Sequence, residues 1–243
     1  MKQWAHRVFG RRKPKAPVVV APKVIVFDFD GTLADTFDIA FDILNKLADE
    51  FKFRRLSRDE VEHARDMRTR ELMKFLGVSP TKLSRIGSRG TAALHAQIDR
   101  VAPLPGIPEL VRELHRRQFA LGIITSNTED NVRTFLRNHD LDVFQFVRSS
   151  SKLLGKAREI RQVMKDFRFA HGDMLFVGDE TRDIEAAHKA GIPMAAVSWG
   201  YNSRRSLEGM NPGRLYDKPE SLLEVLEKPG QPLDIPIGHP IKE

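Results

Sequence analysis

Cysteine is absent from the 243 residues of the chain, which excludes disulfide bonds, thiolate metal ligands and a cysteine nucleophile. This absence is compatible with a reducing compartment, and we expect a cytoplasmic protein. No run of about eighteen uncharged apolar residues occurs, so no membrane-spanning helix is predicted. Hydrophobic residues make up 41% of the chain and charged residues 30%, which is enough apolar material to bury a core.

Acidic residues are missing from residues 1–17, which carry six positive charges of lysine and arginine. The formal net charge of the whole chain is +7, so the remainder is nearly neutral and gives no electrostatic case for nucleic-acid binding. We expect residues 1–22 to form a flexible basic arm. The arm has two alternative interpretations: it contacts an anionic membrane weakly, or it is an organellar presequence.

Short apolar runs alternate with helical patterns along most of the chain. The first run, residues 23–29, is apolar at consecutive positions, which is typical of a strand covered on both faces. Further runs occupy residues 120–125, 174–177 and 194–197, with a weaker one at residues 144–147. Strands that alternate with helices predict a parallel sheet with right-handed crossovers. We therefore expect an α/β fold built on a doubly wound, Rossmann-like parallel sheet.

Residues 37–103 interrupt this alternation with a segment far longer than a crossover needs. Apolar residues recur there at spacings of three and four, which predicts amphipathic helices. We therefore expect a small helical cap inserted after the first strand, with residues 23–36 and 104–228 forming the core. Residues 229–243 are rich in proline and are expected to form an extended or disordered tail.

Acidic residues follow two of the predicted strands. Asp28 and Asp30 end the first strand, and because side chains two residues apart point the same way, both face one space. Asp179 ends the run 174–177, and Asp183 lies in the first turn of the next helix, where it can lean back over the strand. If the two strands are neighbours, four carboxylates converge and repel one another unless a proton or cation is present. Such an oxygen-only site suits Mg²⁺.

Two weaker candidates for phosphate binding lie elsewhere. Thr125 and Ser126 end the second strand just before a helix, where a hydroxyl and free backbone N–H groups can hold a phosphate oxygen. Residues of these types also cap helices commonly. Lys156 precedes another helix, and a single lysine on a loop is typical of solvated surface. It becomes a candidate only in combination with the acidic residues.

In order and spacing, these residues resemble the four motifs of the haloacid dehalogenase superfamily of phosphohydrolases. The run DFDGTLAD at residues 28–35 resembles the first motif, IIT at residues 123–125 the second, Lys156 the third, and GDETRD at residues 178–183 the fourth. The resemblance covers about residues 23–226. A helical insertion between the first two motifs is similar to the cap of one subfamily, and phosphoglycolate phosphatase-like members are the nearest in likeness.

The resemblance implies a Mg²⁺-dependent phosphatase that hydrolyses a small phosphorylated metabolite, similar to phosphoglycolate, through an aspartyl-phosphate intermediate. It implies that Asp28 is the nucleophile and that Asp30 acts first as acid and then as base. Thr125 and the backbone N–H of Ser126 would hold phosphoryl oxygens, and Lys156 would neutralise charge between Asp28 and the phosphate. The implied ligands of Mg²⁺ are Asp28, the Asp30 carbonyl, Asp179 and, directly or through water, Asp183.

Two other functions are compatible with the same residues. A sugar phosphomutase of this fold shares both aspartates of the first motif but returns the phosphoryl group to the substrate instead of to water. A catalytically idle binding protein could also use the fold.

Arg65, Arg68 and Arg70 fit a solvated helix face better than contact with a distal anionic group of the substrate. Trp199 and Tyr201 fit the border of a cleft and ordinary packing equally well.

Overall fold

The computed structural model describes residues 20–150 and 155–235 of the chain. The expected flexibility of the basic arm and its contact with membranes fall on residues 1–19, which lie outside the described residues. Residues 151–154 and 236–243 also lie outside them. No helix of the described segments has both the length and the apolar character that crossing a membrane requires.

One sheet organises the described residues. Its strands are β1 (Val24–Phe27), β2 (Ala120–Thr125), β3 (Phe146–Ser149), β4 (Met174–Gly178), β5 (Met194–Val197) and β6 (Arg214–Tyr216). All neighbouring pairs are parallel, in the order β3-β2-β1-β4-β5-β6. The strands predicted from the four stronger apolar runs are confirmed, and β3 begins two residues later than the weak run at residues 144–147. Because β1 pairs with both β2 and β4, the carboxyl ends of these three strands lie side by side.

Helices fill the long connection between β1 and β2. They are α1 (Phe37–Phe51), α2 (Val61–Arg65), α3 (Thr69–Phe75) and α4 (Leu83–His95), and α5 (Ile107–Arg116) follows them. Ser57 and Glu60 form a capping box in a short 3-10 turn that leads into α2. A 3-10 turn at Ile98–Arg100 lies between α4 and α5.

The remaining helices connect the later strands. They are α6 (Glu129–Asn138), α7 (Lys156–Phe167), α8 (Thr181–Ala190), α9 (Arg204–Glu208) and α10 (Pro219–Val225). Side chains alternate between the two faces of β1, so Ile25 and Phe27 join one apolar cluster while Val24 and Val26 join another. The first cluster includes α5, α6 and α10, and the second includes α7 and α8. The sheet is therefore covered on both faces, as the doubly wound prediction requires.

The proline-rich segment at residues 229–235 forms backbone and apolar contacts with the rest of the fold. Leu233 forms an isolated antiparallel bridge with Val20, and its backbone N–H donates to the Val20 carbonyl at 2.7 Å. Ile235 is 5% exposed and belongs to the larger apolar cluster. Apolar residues between the prolines supply the burial that stabilises this segment, so residues 229–235 pack against the start of the described chain.

Candidate functional site

The carboxyl end of β1 places two aspartates beside the neighbouring strands. Asp28 continues the ladder, since its backbone N–H donates to the Val177 carbonyl at 2.8 Å, and its side chain is 1% exposed. Phe29 turns into the core, where its ring packs edge-on against Phe135. The chain then turns sharply at Gly31, whose φ of +75° is a conformation that favours glycine. This turn carries Asp30 toward a cavity rather than toward the sheet.

Three buried carboxylates meet at the ends of β1 and β4. Oxygen atoms of Asp28, Asp179 and Asp183 lie within 4.8 Å of one another. Burial raises the pKa of Asp179 well above its usual value, and the negative charges of Glu180 and Asp28 add to the rise. Burial is also the main cause of the raised pKa of Asp183. Buried negative charges at this distance repel one another strongly unless a cation is present. Carboxylate oxygens are ligands that Mg²⁺ prefers.

Lys156 supplies a positive charge inside this group. It is the first residue of α7, is 4% exposed, and its ammonium binds the Asp28 carboxylate and the Asp183 carboxylate, the latter at 2.5 Å. Burial by itself would lower the pKa of Lys156, but the charges of Asp183 and Asp28 outweigh it and the pKa is raised. The solvated position expected for an isolated lysine is therefore wrong, because two distant acids draw the side chain inward.

Asp179 is held in one orientation by two further loops. The Thr32 hydroxyl donates to one carboxylate oxygen at 2.5 Å, and the Tyr201 backbone N–H donates to the other at 2.7 Å. The chain passes so close to this carboxylate at Gly31 and Gly200 that a Cβ atom at either position would collide with it. The Asp179 side chain thus has little freedom to rotate away from Asp28 and Asp183.

The Asp30 side chain lies outside the group of three carboxylates. It accepts hydrogen bonds from the Asn127 amide, and burial, followed by the charge of Asp28, raises the pKa of Asp30 to about 7. The Asn127 side-chain oxygen in turn accepts from Asn131 at 2.7 Å, and the Asn131 oxygen contacts the His95 ring at the end of α4. The expectation that four carboxylates converge is corrected to three, with the Asp30 carboxyl held separately by an amide.

The end of β2 contributes Thr125 and Ser126. Thr125 is fully buried, and its hydroxyl accepts a hydrogen bond from the Asn127 backbone N–H at 3.0 Å. Ser126 is partly exposed, and its hydroxyl accepts from Arg182 at 3.4 Å. Arg182 also forms an ion pair with Glu180, and both side chains are 16% exposed. Ser126 therefore faces open space beside Asp30, while Thr125 orders the turn beneath it.

A cavity of about 260 Å³ opens above these groups. The residues of the core that line it are Asp30, Ser126, Asn127, Glu180, Arg182 and Tyr201. Its opposite wall consists of residues of α1 and α4, namely Ala40, Ile43, Leu44, Leu47, Ile86, Gly90, Thr91 and Leu94. The cavity thus has one polar wall next to the acidic cluster and one largely aliphatic wall.

Several functional contacts were not predicted from the sequence. Asn131 and His95 extend the Asn127 contact, and the spacing of four residues from Asn127 to Asn131 is the one local signal for it. Tyr201, for which two interpretations were open, lines the cavity. Arg65 does not line the cavity; its guanidinium donates to the backbone carbonyls of Gly200 and Tyr201. It joins α2 to the loop that contacts Asp179.

Comparison with known proteins agrees with this geometry. The profile of the haloacid dehalogenase-like hydrolase family matches residues 25–197. The phosphoglycolate phosphatase of Synechococcus elongatus is 32% identical over 205 residues, which cover 84% of this chain and 97% of that protein. The pyrophosphatase PpaX of Bacillus cereus is 26% identical over 222 residues, covering 83% and 95%. The structure of a haloacid dehalogenase-like hydrolase from Streptococcus pneumoniae matches with a TM-score of 0.70 at 21% identity, covering 84% and 97%.

The fold and the relatives together define a phosphoric monoester hydrolase with an α/β core. More specifically, the chain belongs to the haloacid dehalogenase-like hydrolase family, whose profile spans most of it, and it is similar to phosphoglycolate phosphatase. The family resemblance predicted from the motifs is thereby confirmed.

Proposed function

We propose that the protein is a Mg²⁺-dependent phosphatase that hydrolyses a small phosphate monoester through a phosphorylated aspartate. One observation carries this proposal: the buried carboxylates of Asp28, Asp179 and Asp183 converge beside Asp30 and the cavity, and the Lys156 ammonium contacts two of them, Asp28 and Asp183. Phosphate-monoester hydrolysis is among the slowest uncatalysed reactions in water. A buried position with positive charge around the phosphoryl group lowers the activation barrier because it stabilises the negative charge of the transition state.

The three carboxylates fit a magnesium ion. They are buried, they present hard oxygen donors, and a single lysine cannot neutralise all three. Asp28, Asp179 and Asp183 would hold the ion, together with the Asp30 backbone carbonyl. When bound, Mg²⁺ supplies positive charge that lets an anionic carboxylate approach an anionic phosphate.

Asp28 is proposed as the nucleophile. One of its carboxylate oxygens forms a bond to phosphorus while the bond from phosphorus to the alcohol oxygen breaks. Lys156 contacts the same carboxylate, and its positive charge offsets the charge of the incoming phosphoryl group. Water then attacks the phosphorus, which releases inorganic phosphate and restores the Asp28 carboxylate.

Asp30 is proposed to move the proton in both steps. Its carboxyl protonates the departing alcohol oxygen and afterwards takes a proton from the attacking water. Because the pKa of Asp30 is raised to about 7, it lies near neutral pH, which suits a group that must act as acid and base. Thr125 and the Ser126 N–H would orient the phosphoryl oxygens at the end of β2.

The test is release of inorganic phosphate from 4-nitrophenyl phosphate by the full-length protein with Mg²⁺. Asp28→Asn should reduce turnover at least 1,000-fold, while Asp59→Asn, a change at an exposed acid of the helical insertion that does not line the cavity, should leave it within about twofold. EDTA should abolish activity and added Mg²⁺ should restore it. After an acid quench, mass spectrometry should find a phosphoryl group on the peptide that contains Asp28.

Three results would contradict this proposal: full activity in Asp28→Asn, activity that is insensitive to chelation, or no turnover of any phosphate ester. Product analysis with sugar phosphates separates hydrolysis from the phosphomutase alternative, because a mutase returns an isomeric sugar phosphate and little free phosphate. An idle binding protein would release no phosphate under any of these conditions.

A further inference from the structure

The wall of the cavity that faces Asp30 is aliphatic, and this restricts the alcohol portion of the substrate. We propose that the ester carries an uncharged, apolar alcohol group, either aromatic or branched aliphatic, and not one with a second anionic group. This proposal departs from the phosphoglycolate-like substrate that the family resemblance implies, since phosphoglycolate carries a carboxylate. This inference rests on the proposed function, since it concerns what remains of the substrate once the phosphoryl group lies at the acidic cluster.

The aliphatic wall comes from two helices of the insertion. On α1, the lining positions are spaced i, i+3, i+4 and i+7, so they form one face of the helix, and α4 adds a second row. The residues are Ala40, Ile43, Leu44 and Leu47 on α1, and Ile86, Thr91 and Leu94 on α4. Apart from the Thr91 hydroxyl, which donates to the Gly87 carbonyl at 3.1 Å, these side chains offer no hydrogen bond to a ligand.

The charges around the cavity are unfavourable for a second anionic group. Among the residues of the described segments that line it, Arg182 is the sole cation, and Glu180 pairs with it. Asp30 and Glu180 are themselves acidic. A carboxylate on the substrate would therefore lose water against aliphatic side chains, and the described part of the lining offers it no cation without an acidic partner, which is costly. An apolar group would gain from the same burial.

The dimensions of the cavity agree with a group larger than a two-carbon acid. Its volume of about 260 Å³ lies just below the ~300–1,000 Å³ that sites for small-molecule ligands commonly occupy. Gly90 contributes to this space, since a Cβ atom there would reach only ordinary contact distance from Leu47, at 3.7 Å. A phenyl ring or a branched alkyl chain can fill this space, whereas a short acid would leave the aliphatic wall uncovered.

A matched pair of substrates tests the inference. Phenyl phosphate and 4-carboxyphenyl phosphate release phenols of similar acidity and differ in one carboxylate, so the ratio of their kcat/KM values reports on the cavity. We expect the wild-type protein with Mg²⁺ to favour phenyl phosphate at least tenfold. Equal values, or a preference for the carboxylated ester, would overturn the inference while leaving the phosphatase proposal in place. Turnover of neither ester, nor of 4-nitrophenyl phosphate, would instead refute the proposed function.

A cation added to the aliphatic wall should reduce the preference for phenyl phosphate over 4-carboxyphenyl phosphate. Thr91→Lys places an ammonium at a partly exposed lining position of α4 and should raise kcat/KM for 4-carboxyphenyl phosphate at least tenfold relative to phenyl phosphate. Ala92→Lys is the control, because it is exposed on the same helix, about 100° around its axis, and does not line the cavity. An unchanged ratio in a folded Thr91→Lys protein, or the same change in both variants, would contradict the inference. Leu44→Lys, at another lining position, provides a second variant should Thr91→Lys fail to fold.

Discussion

The Asn127 side-chain amide donates to both carboxylate oxygens of Asp30, at 3.3 and 3.2 Å. Asn127 is 3% exposed and is itself fixed by Asn131, which contacts His95 on α4. Asn127 therefore positions Asp30, the proposed proton carrier. Asn131 of α6 connects this contact to His95 of the helical insertion. Because the amide favours the ionised carboxylate, it opposes the burial that raises the pKa of Asp30.

Replacement of Asn127 by leucine should shift the pH dependence of catalysis upward. The hydrogen bond lowers the pKa of Asp30, so its loss raises that pKa further above 7, by about one unit for a bond worth ~1.4 kcal/mol. Protonation of the alcohol needs the neutral carboxyl, so kcat/KM falls as pH rises through this pKa, and the descending limb should move to higher pH. Profiles of kcat/KM for an alkyl phosphate between pH 5.5 and 9 measure it.

A suitable control for this shift is Asn138→Leu, which changes an exposed asparagine at the far end of α6, the helix that follows Asn127. Its descending limb should coincide with that of the wild-type protein. A limb that stays in place in Asn127→Leu, or moves to lower pH, would show that Asn127 does not govern the titration of Asp30.

Replacement of Lys156 by methionine should affect both stability and turnover. Methionine has a similar length without charge, so the buried Asp28 and Asp183 carboxylates lose their shared cation. Removal of one partner from a buried ion pair costs about 3–5 kcal/mol, and we expect a loss of that order in urea unfolding with EDTA. Mg²⁺ should recover part of the loss, whereas phosphatase turnover should stay at least 100-fold below wild type.

Lys165→Met is the matched control, because Lys165 is exposed on the same helix, α7. It should change the free energy of unfolding by less than about 0.5 kcal/mol. If Lys156→Met were as stable as Lys165→Met in EDTA, the ion pairs would not contribute to the fold, and the role given to Lys156 would need revision.

The central strands and the acidic residues after them could be predicted from the sequence because the responsible patterns are local. A strand buried on both faces requires consecutive apolar residues, as in residues 24–27, and this feature is visible without any knowledge of neighbours. The position of Asp183, four residues after Asp179 in the first turn of α8, could be predicted from helix geometry in the same way.

Contacts between distant segments could not be predicted in this manner. Burial of Lys156 depends on acids 128 and 27 residues away, and the contact of His95 with Asn131 joins α4 to α6. The edge strand β6 has only three residues, none of them fully buried, so it lacks an apolar run. Asp30 is separated from the other carboxylates by the sharp turn at Gly31 and by its hydrogen bonds to the Asn127 amide. The alternation of side chains along a strand does not predict either feature.

Replacement of Gly200 by alanine should weaken Mg²⁺ binding through a steric effect on Asp179. A Cβ atom at residue 200 would collide with the Asp179 carboxylate and with the Gly31 carbonyl, which is backbone and cannot easily move away. We expect Asp179 to be displaced from Asp28 and Asp183, with at least tenfold weaker binding of Mg²⁺ and a similar loss of turnover. Thermal unfolding at increasing Mg²⁺ concentrations measures the affinity, since a ligand at 100 times its Kd stabilises a protein by ~2.7 kcal/mol. Gly209→Ala is the control, because a Cβ atom there would lie 3.5 Å from its nearest neighbour, the Ser206 carbonyl. If both variants gained the same stability from Mg²⁺, Asp179 would not be a ligand whose position Gly200 controls.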